Sequence, residues 1–341
     1  MTRTEQDLPV TAHQPTASPA ASALSRRQLL KALAASGGAV TAASLLPGRW
    51  AKPVVHVGCL PAFAQTSPTV THRLYWAQQL SGESGSSIYR ATMEGTDIEP
   101  LVSDITSVQT IRLDAVHGKI YWGESGKIRR ANLDGSNDED FVDTVYGLAS
   151  AVAGIALDPI TNRIYWTEPG ILLPPWFDML GKLRCANLDG SGITELLSDY
   201  RSFQCNGLAV DSAGGKIYWS QLFDNKIQRS DLDGSNVVDI VTGLNAPEGI
   251  ALDLTHGMIY WADQGIPAIQ RANLDGSNIE TLVAAGLANP FDIALDLPNG
   301  KMYWADFGTH KIQRANLDGS GVEDVVTSIT RAISLALDLS L

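Results

Sequence analysis

The sequence predicts an all-β fold, a six-bladed β-propeller of four-stranded antiparallel blades, on three observations. Tyr-Trp pairs stand at 75/76, 121/122, 165/166, 218/219, 260/261 and 303/304, at spacings of 42 to 53 residues. An Asp-Gly turn follows five of them, at Asp134-Gly135, Asp189-Gly190, Asp233-Gly234, Asp275-Gly276 and Asp318-Gly319, with Glu94-Gly95 in the first copy. The first Tyr-Trp strand, Arg73 to Ala77, lacks the strand that precedes the others, and the chain finishes on a spare one, Leu335 to Asp338. Such a period marks a repeat architecture, and the spare strand completes the first blade, which closes the ring and removes open sheet edges.

Residues 1–64 stand outside the repeat. Ser25-Arg26-Arg27-Gln28-Leu29-Leu30-Lys31 precedes an Ala/Gly-rich stretch that Pro47 ends, and Ala62 and Ala64 form an A-x-A site. The segment resembles a bacterial twin-arginine export signal, which implies cleavage after Ala64, a periplasmic or secreted location and a propeller over residues 65–341. No uninterrupted apolar run reaches the ~20 residues of a membrane-spanning helix. Without the leader the chain keeps 19 Lys/Arg and 35 Asp/Glu, a net charge near -16. That charge repels phosphate backbones and anionic lipid, which argues against nucleic-acid binding. Cys185 and Cys205 also remain, and an oxidising compartment permits a Cys185–Cys205 disulfide, although spacing alone does not bring their Cα atoms within ~7 Å.

Gly249 to Leu287 illustrates the unit. Ile250 to Asp253 and Met258 to Ala262 are β-rich runs joined by a turn at His256-Gly257, and Ile269 to Asn273 and Ile279 to Val283 are joined by Leu274-Asp275-Gly276-Ser277. Two hairpins make one sheet. Glycine supplies the positive φ of the tight turn, and the Asp carboxylate accepts nearby backbone N–H groups. Neighbouring strand residues face opposite ways, so each Tyr-Trp pair sends one ring to each side, as a sheet buried on both faces requires. The strand-ending Asp114, Asp158, Asp211, Asp253, Asp296 and Asp338 read as caps of the turns that follow.

The unit resembles the low-density lipoprotein receptor class B, or YWTD, repeat, over essentially all of residues 70–341. The resemblance implies six blades and protein or peptide ligands on the top face. The motif's Asp is kept at Asp263 and Asp306, becomes Glu at Glu124 and Glu168, and becomes Gln at Gln78 and Gln221; its Thr survives at Thr167.

Function is sought where the repeat breaks. From each Trp to the residue before the turn the blades span 17, 11, 22, 13, 13 and 13 residues, so blade 3 carries an insertion, "PGILLPPWFDMLG", between its second and third strands. Trp176, Phe177 and Asp178 within it, with Asn206, Glu248, Asp292 and His310 around the same end of the ring, are the candidate ligand-binding residues. The insertion reads either as a binding lip or as a plug over the channel. No His cluster, H-E-x-x-H or G-x-S-x-G occurs, so metal-hydrolase and serine-hydrolase parts are missing. The reading is a non-catalytic, cofactor-free monomer that binds a protein, peptide or glycan. The alternative is a calcium-dependent hydrolase or lyase with the metal on Glu248, Asp292 and Asn206.

Overall fold

The computed structural model describes residues 72–79, 85–144, 151–173, 177–179, 181–200 and 204–340, with backbone alone at 171–173, 177–179 and 199–200. The twin-arginine segment and the Ala64 boundary lie outside these residues.

Blade 1 contains β1 (Arg73–Gln79), β2 (Ser86–Thr92) and β3 (Glu99–Ile105). Blade 2 runs from β4 (Thr110–Asp114) and β5 (Lys119–Glu124) to β6 (Lys127–Asn132) and β7 (Glu139–Asp143). Blade 3 is β8 (Ile155–Asp158) and β9 (Arg163–Glu168), a small inserted hairpin of β10 (Ile171–Leu173) and β11 (Phe177–Met179), then β12 (Gly181–Asn187) and β13 (Thr194–Tyr200). Blade 4 comprises β14 (Leu208–Asp211), β15 (Lys216–Gln221), β16 (Lys226–Asp231) and β17 (Val238–Thr242). Blade 5 comprises β18 (Pro247–Asp253), β19 (Met258–Asp263), β20 (Ala268–Asn273) and β21 (Glu280–Val283). Blade 6 has β22 (Pro290–Asp296), β23 (Lys301–Asp306), β24 (Lys311–Asn316) and β25 (Glu323–Val326), and the chain returns as β26 (Ala332–Asp338). β26 pairs antiparallel with β1, so blade 1 has the order β26-β1-β2-β3 and the missing strand is supplied by the C-terminal end. The innermost strands β4, β8, β14, β18, β22 and β26 each touch the next, and β26 touches β4.

Opposite-facing side chains in each Tyr-Trp pair build the core. Tyr75 packs with Trp122 between blades 1 and 2, Tyr121 with Trp166 between blades 2 and 3, and Tyr303 with Trp76 across the closure. The other three interfaces repeat the arrangement with Tyr165 and Trp219, Tyr218 and Trp261, and Tyr260 and Trp304. Each ring buries roughly 150–250 Å², worth several kcal/mol as an upper estimate at ~25 cal/mol/Å².

A buried indole N–H needs an acceptor, and the variable fourth motif position follows from how each blade supplies it. Gln228, Gln270 and Gln313 lie across the strand pair from Trp219, Trp261 and Trp304 and accept at 3.1–3.2 Å. Blades 2 and 3 have Arg129 and Arg184 there, so the indoles turn to Glu124 and Glu168 two residues on, at 2.7 and 2.9 Å. Blade 1 has Tyr89 stacked on Trp76, and Gln78 accepts. Where Gln holds the Trp in blades 5 and 6, the motif Asp is released for another task. Asp306 accepts the backbone N–H groups of Ala288, Asn289, Gly308 and Thr309.

The Asp-Gly turns do more than reverse the chain. In five of them the Asp carboxylate accepts both the backbone N–H and the hydroxyl of the following Ser, as Asp275 does from Ser277 at 2.9 and 2.6 Å. The glycine then lies against the outer strand of the preceding blade: at Gly276, φ is +85° and an added Cβ would stand 1.7 Å from the Ile240 carbonyl oxygen. The strand-ending Asp residues do cap their turns; Asp253, for example, accepts the N–H groups of Thr255 and His256 and holds His256 Nδ1 at 2.6 Å.

An arginine on the third strand ties most blades to the next. Arg90, Arg130, Arg229, Arg271 and Arg314 donate to the carbonyls of Leu133, Leu188, Leu274, Leu317 and Met93 on the following blade. Blade 3 has Cys185 at this place, opposite Tyr165 where blade 5 sets Arg271 opposite Tyr260. Among the described residues the blade 3–blade 4 seam has no such clamp, and the buried Tyr165 hydroxyl has no partner.

Cys185 and Cys205 share the core between blades 3 and 4 but are free thiols. Each points to its own partner: Arg163 donates to Cys185 Sγ at 3.3 Å, and Cys205 Sγ donates to Gln221 at 3.5 Å. Burial pushes both thiols up, Cys205 strongly.

Candidate functional site

The end of the ring where the innermost strands begin is its top. There β14, β18, β22, β26 and β4 bring together a buried polar chain. Asn206 Nδ2 donates to Glu248 Oε2. Glu248 is 2% exposed, and its carboxyl is pushed up to about 8 by burial and by the Asp292 charge, against the pull of the Asn206 hydrogen bond. Close approach of the two strands is made by Gly249, where a Cβ would meet Asp292 Oδ1 at 2.3 Å. Asp292 Oδ2 accepts from Ser334 Oγ at 2.6 Å, Leu335 N at 3.1 Å and Arg112 Nη1 at 3.0 Å.

Asn206, Glu248 and Asp292 are thus neighbours: Asn206 is bonded to Glu248, and Asp292 to Ser334, Leu335 and Arg112. Among the described residues no three His, Cys, Asp or Glu side chains gather as a metal site.

Arg112 is the residue that sequence reasoning missed. The strand pattern Ile-Ala-Leu-Asp puts Ala156, Ala209, Ala251, Ala294 and Ala336 at one place, and blade 2 reads Ile-Arg-Leu-Asp. That single exception was the available signal. These positions line the central channel, a space of about 350 Å³ otherwise walled by Leu, Val and Ile. Arg112 reaches past β26 from blade 2 to Asp292 on blade 6.

The blade 3 insertion is not an irregular loop. Its backbone forms the hairpin β10–β11, in the register Ile171↔Met179, Leu172↔Asp178 and Leu173↔Phe177. Trp176 lies outside the described residues, as do the side chains of Phe177 and Asp178. His310 is exposed in the turn between β23 and β24, with φ at +59° and its carbonyl accepting Ile329 N–H, and it takes no part in the polar chain.

With this geometry in place, comparison with known proteins is informative. Residues 215–254, 257–297 and 300–330 match the low-density lipoprotein receptor repeat class B. The matched segments take up blades 5 and 6 apart from turn residues 255–256 and 298–299, and blade 4 apart from its innermost strand β14. Low-density lipoprotein receptor-related protein 1 of Pyricularia oryzae is 42% identical over 212 residues, covering 52% of this chain and 65% of that one. The chain therefore spans less than two thirds of that relative's length. A chain in the crystal structure of a nidogen/laminin complex superposes with a TM-score of 0.66 at 22% identity, over 79% of this chain and 99% of its own. TolB from Acinetobacter baumannii gives 0.63 at 10% identity, over 78% and 66%. Identities this low speak for the fold alone. No helix among the described residues is long and apolar enough to cross a membrane.

Proposed function

We propose that the protein is an exported, monomeric, non-catalytic recognition module whose top face takes a protein, peptide or glycan. The observation that carries this reading is the hairpin β10–β11. It is the one two-stranded sheet among the described residues, added to a blade that is complete without it, at the top of the ring. An added element that the core does not need is a place for binding, since loops and insertions tolerate change while the scaffold holds them in position. The class B repeats and the name of the Pyricularia relative support a receptor-like role.

Capture of partners from the exporting cell's periplasm or medium tests it, comparing the protein with a variant in which residues 171–179 are replaced by a short Gly-Ser link. Partners held by the first and lost from the second are expected; identical capture by both would remove the hairpin from the proposal. Export is checked separately. Arg26→Lys with Arg27→Lys should hold the protein in the cytoplasm.

A further inference from the structure

We propose that the central channel is itself a ligand site, for a medium-chain aliphatic carboxylate whose head sits on Arg112 and whose tail lies along the channel wall. The wall's side chains are mostly aliphatic, set between the backbone groups of the innermost strand edges. At one level five of the six innermost strands present alanine, which leaves width, and below it the lining is Leu, Val and Ile. A volume of about 350 Å³ lies at the small end of the ~300–1,000 Å³ found for ligand pockets, which are mostly apolar with a few placed polar groups.

Arg112 is the placed group, and its guanidinium is only partly used. One nitrogen, Nη1, makes all three of its bonds, to Ile111 O at 2.7 Å, Asp292 Oδ2 at 3.0 Å and Ser334 Oγ at 3.3 Å. Among the described residues Nε and Nη2 have no protein partner, and neither is a sealed, orphaned atom. Those two donors form one edge of the planar fork that matches a carboxylate. A guanidinium edge left open in an aliphatic space selects a ligand that is anionic at one end and apolar along its length. Asp292 and Ser334 fix the other edge, so the open one is oriented before any ligand arrives.

The bottom mouth fits the same ligand. Leu254 and Leu297, each the first residue after its strand-ending Asp, line the channel there, and Leu254 is 45% exposed. Tight turns ordinarily carry Gly, Asn, Asp or Ser. Leucines on these two turns put apolar surface at the end of the channel, past which a tail can lie. The site shares no residue with the hairpin, so it stands or falls apart from the top-face reading.

Isothermal titration of the full chain with decanoate, decan-1-ol and acetate tests the proposal. Saturable one-to-one binding of decanoate is expected, with decan-1-ol and acetate at least 10-fold weaker because each lacks half of the ligand. Arg112→Lys keeps the charge beside Asp292 but loses the planar edge, and should weaken decanoate at least 10-fold. Ala251→Leu with Ala294→Leu narrows the wall and should abolish binding; if that variant does not fold, the Arg112→Lys comparison decides. No saturable binding of decanoate, equal binding of decan-1-ol, or unchanged binding by Arg112→Lys would each overturn the assignment.

Discussion

Glu94, in the first blade's turn, grips Arg314 of the last blade through both carboxylate oxygens, at 3.0 and 2.7 Å. The same guanidinium donates to Met93 O, Glu323 and the Tyr303 hydroxyl. The turn that departs from Asp-Gly therefore sits at the ring closure, where the longer Glu reaches across the seam, and the shorter Asp of the other turns stays within its own loop. Arg314→Met should lower stability by about 2–3 kcal/mol, because it strips several charge-assisted bonds at once. Glu94→Gln should cost under ~1 kcal/mol, since that carboxylate is largely exposed. Urea unfolding of the two variants checks the order.

Glu248 makes stability depend on pH. Its carboxyl holds a proton to about 8 when folded, against an ordinary value of 4.5. The folded state therefore binds more protons than the unfolded one between those values, and stability falls as pH rises from about 4.5 to about 8, then levels. Glu248→Gln keeps an amide against Asn206 and removes the titration. It should melt higher than the parent at pH 8.5, by an amount on the order of a few kcal/mol at most, and the gap should close by pH 4.5. Scanning calorimetry across that range reads it directly.

Two glycines with similar backbones separate conformation from contact. Gly257 has φ at +67° with open space around its Cβ position, and Gly276 has φ at +85° with the Ile240 carbonyl in the way. Gly257→Ala should cost about 1 kcal/mol for the left-handed backbone alone. Gly276→Ala should cost more than ~3 kcal/mol, because two blades must part. Denaturant midpoints of the pair test the turn as a docking element.

Both core thiols should be silent in the native protein. Neither Cys185 nor Cys205 is accessible, and burial disfavours both thiolates. A thiol reagent should label them only after denaturation, with the intact mass matching free cysteines; a mass 2 Da lower would restore the disulfide.

The ring, its closure and the pairing of Tyr with Trp across every seam were legible because each is periodic, and a period survives any single substitution. Arg112 was equally visible, as one Arg among five Ala, but its meaning depended on which strand edge faces the channel. The sequence left the pairing of the thiols open because spacing does not set the direction of a side chain. Pro174-Pro175 concealed the hairpin, since consecutive prolines look like a loop and here fall in the short link between two paired segments.

A hoop is as strong as its weakest joint. Five guanidinium ties run the same way round this one, each from a blade to its successor, and the joint between blades 3 and 4 has a cysteine in place of the sixth. Hydrogen exchange in mild denaturant is expected to show this joint, held by the Thr167 hydroxyl on Cys205 O, opening before the end-to-start closure.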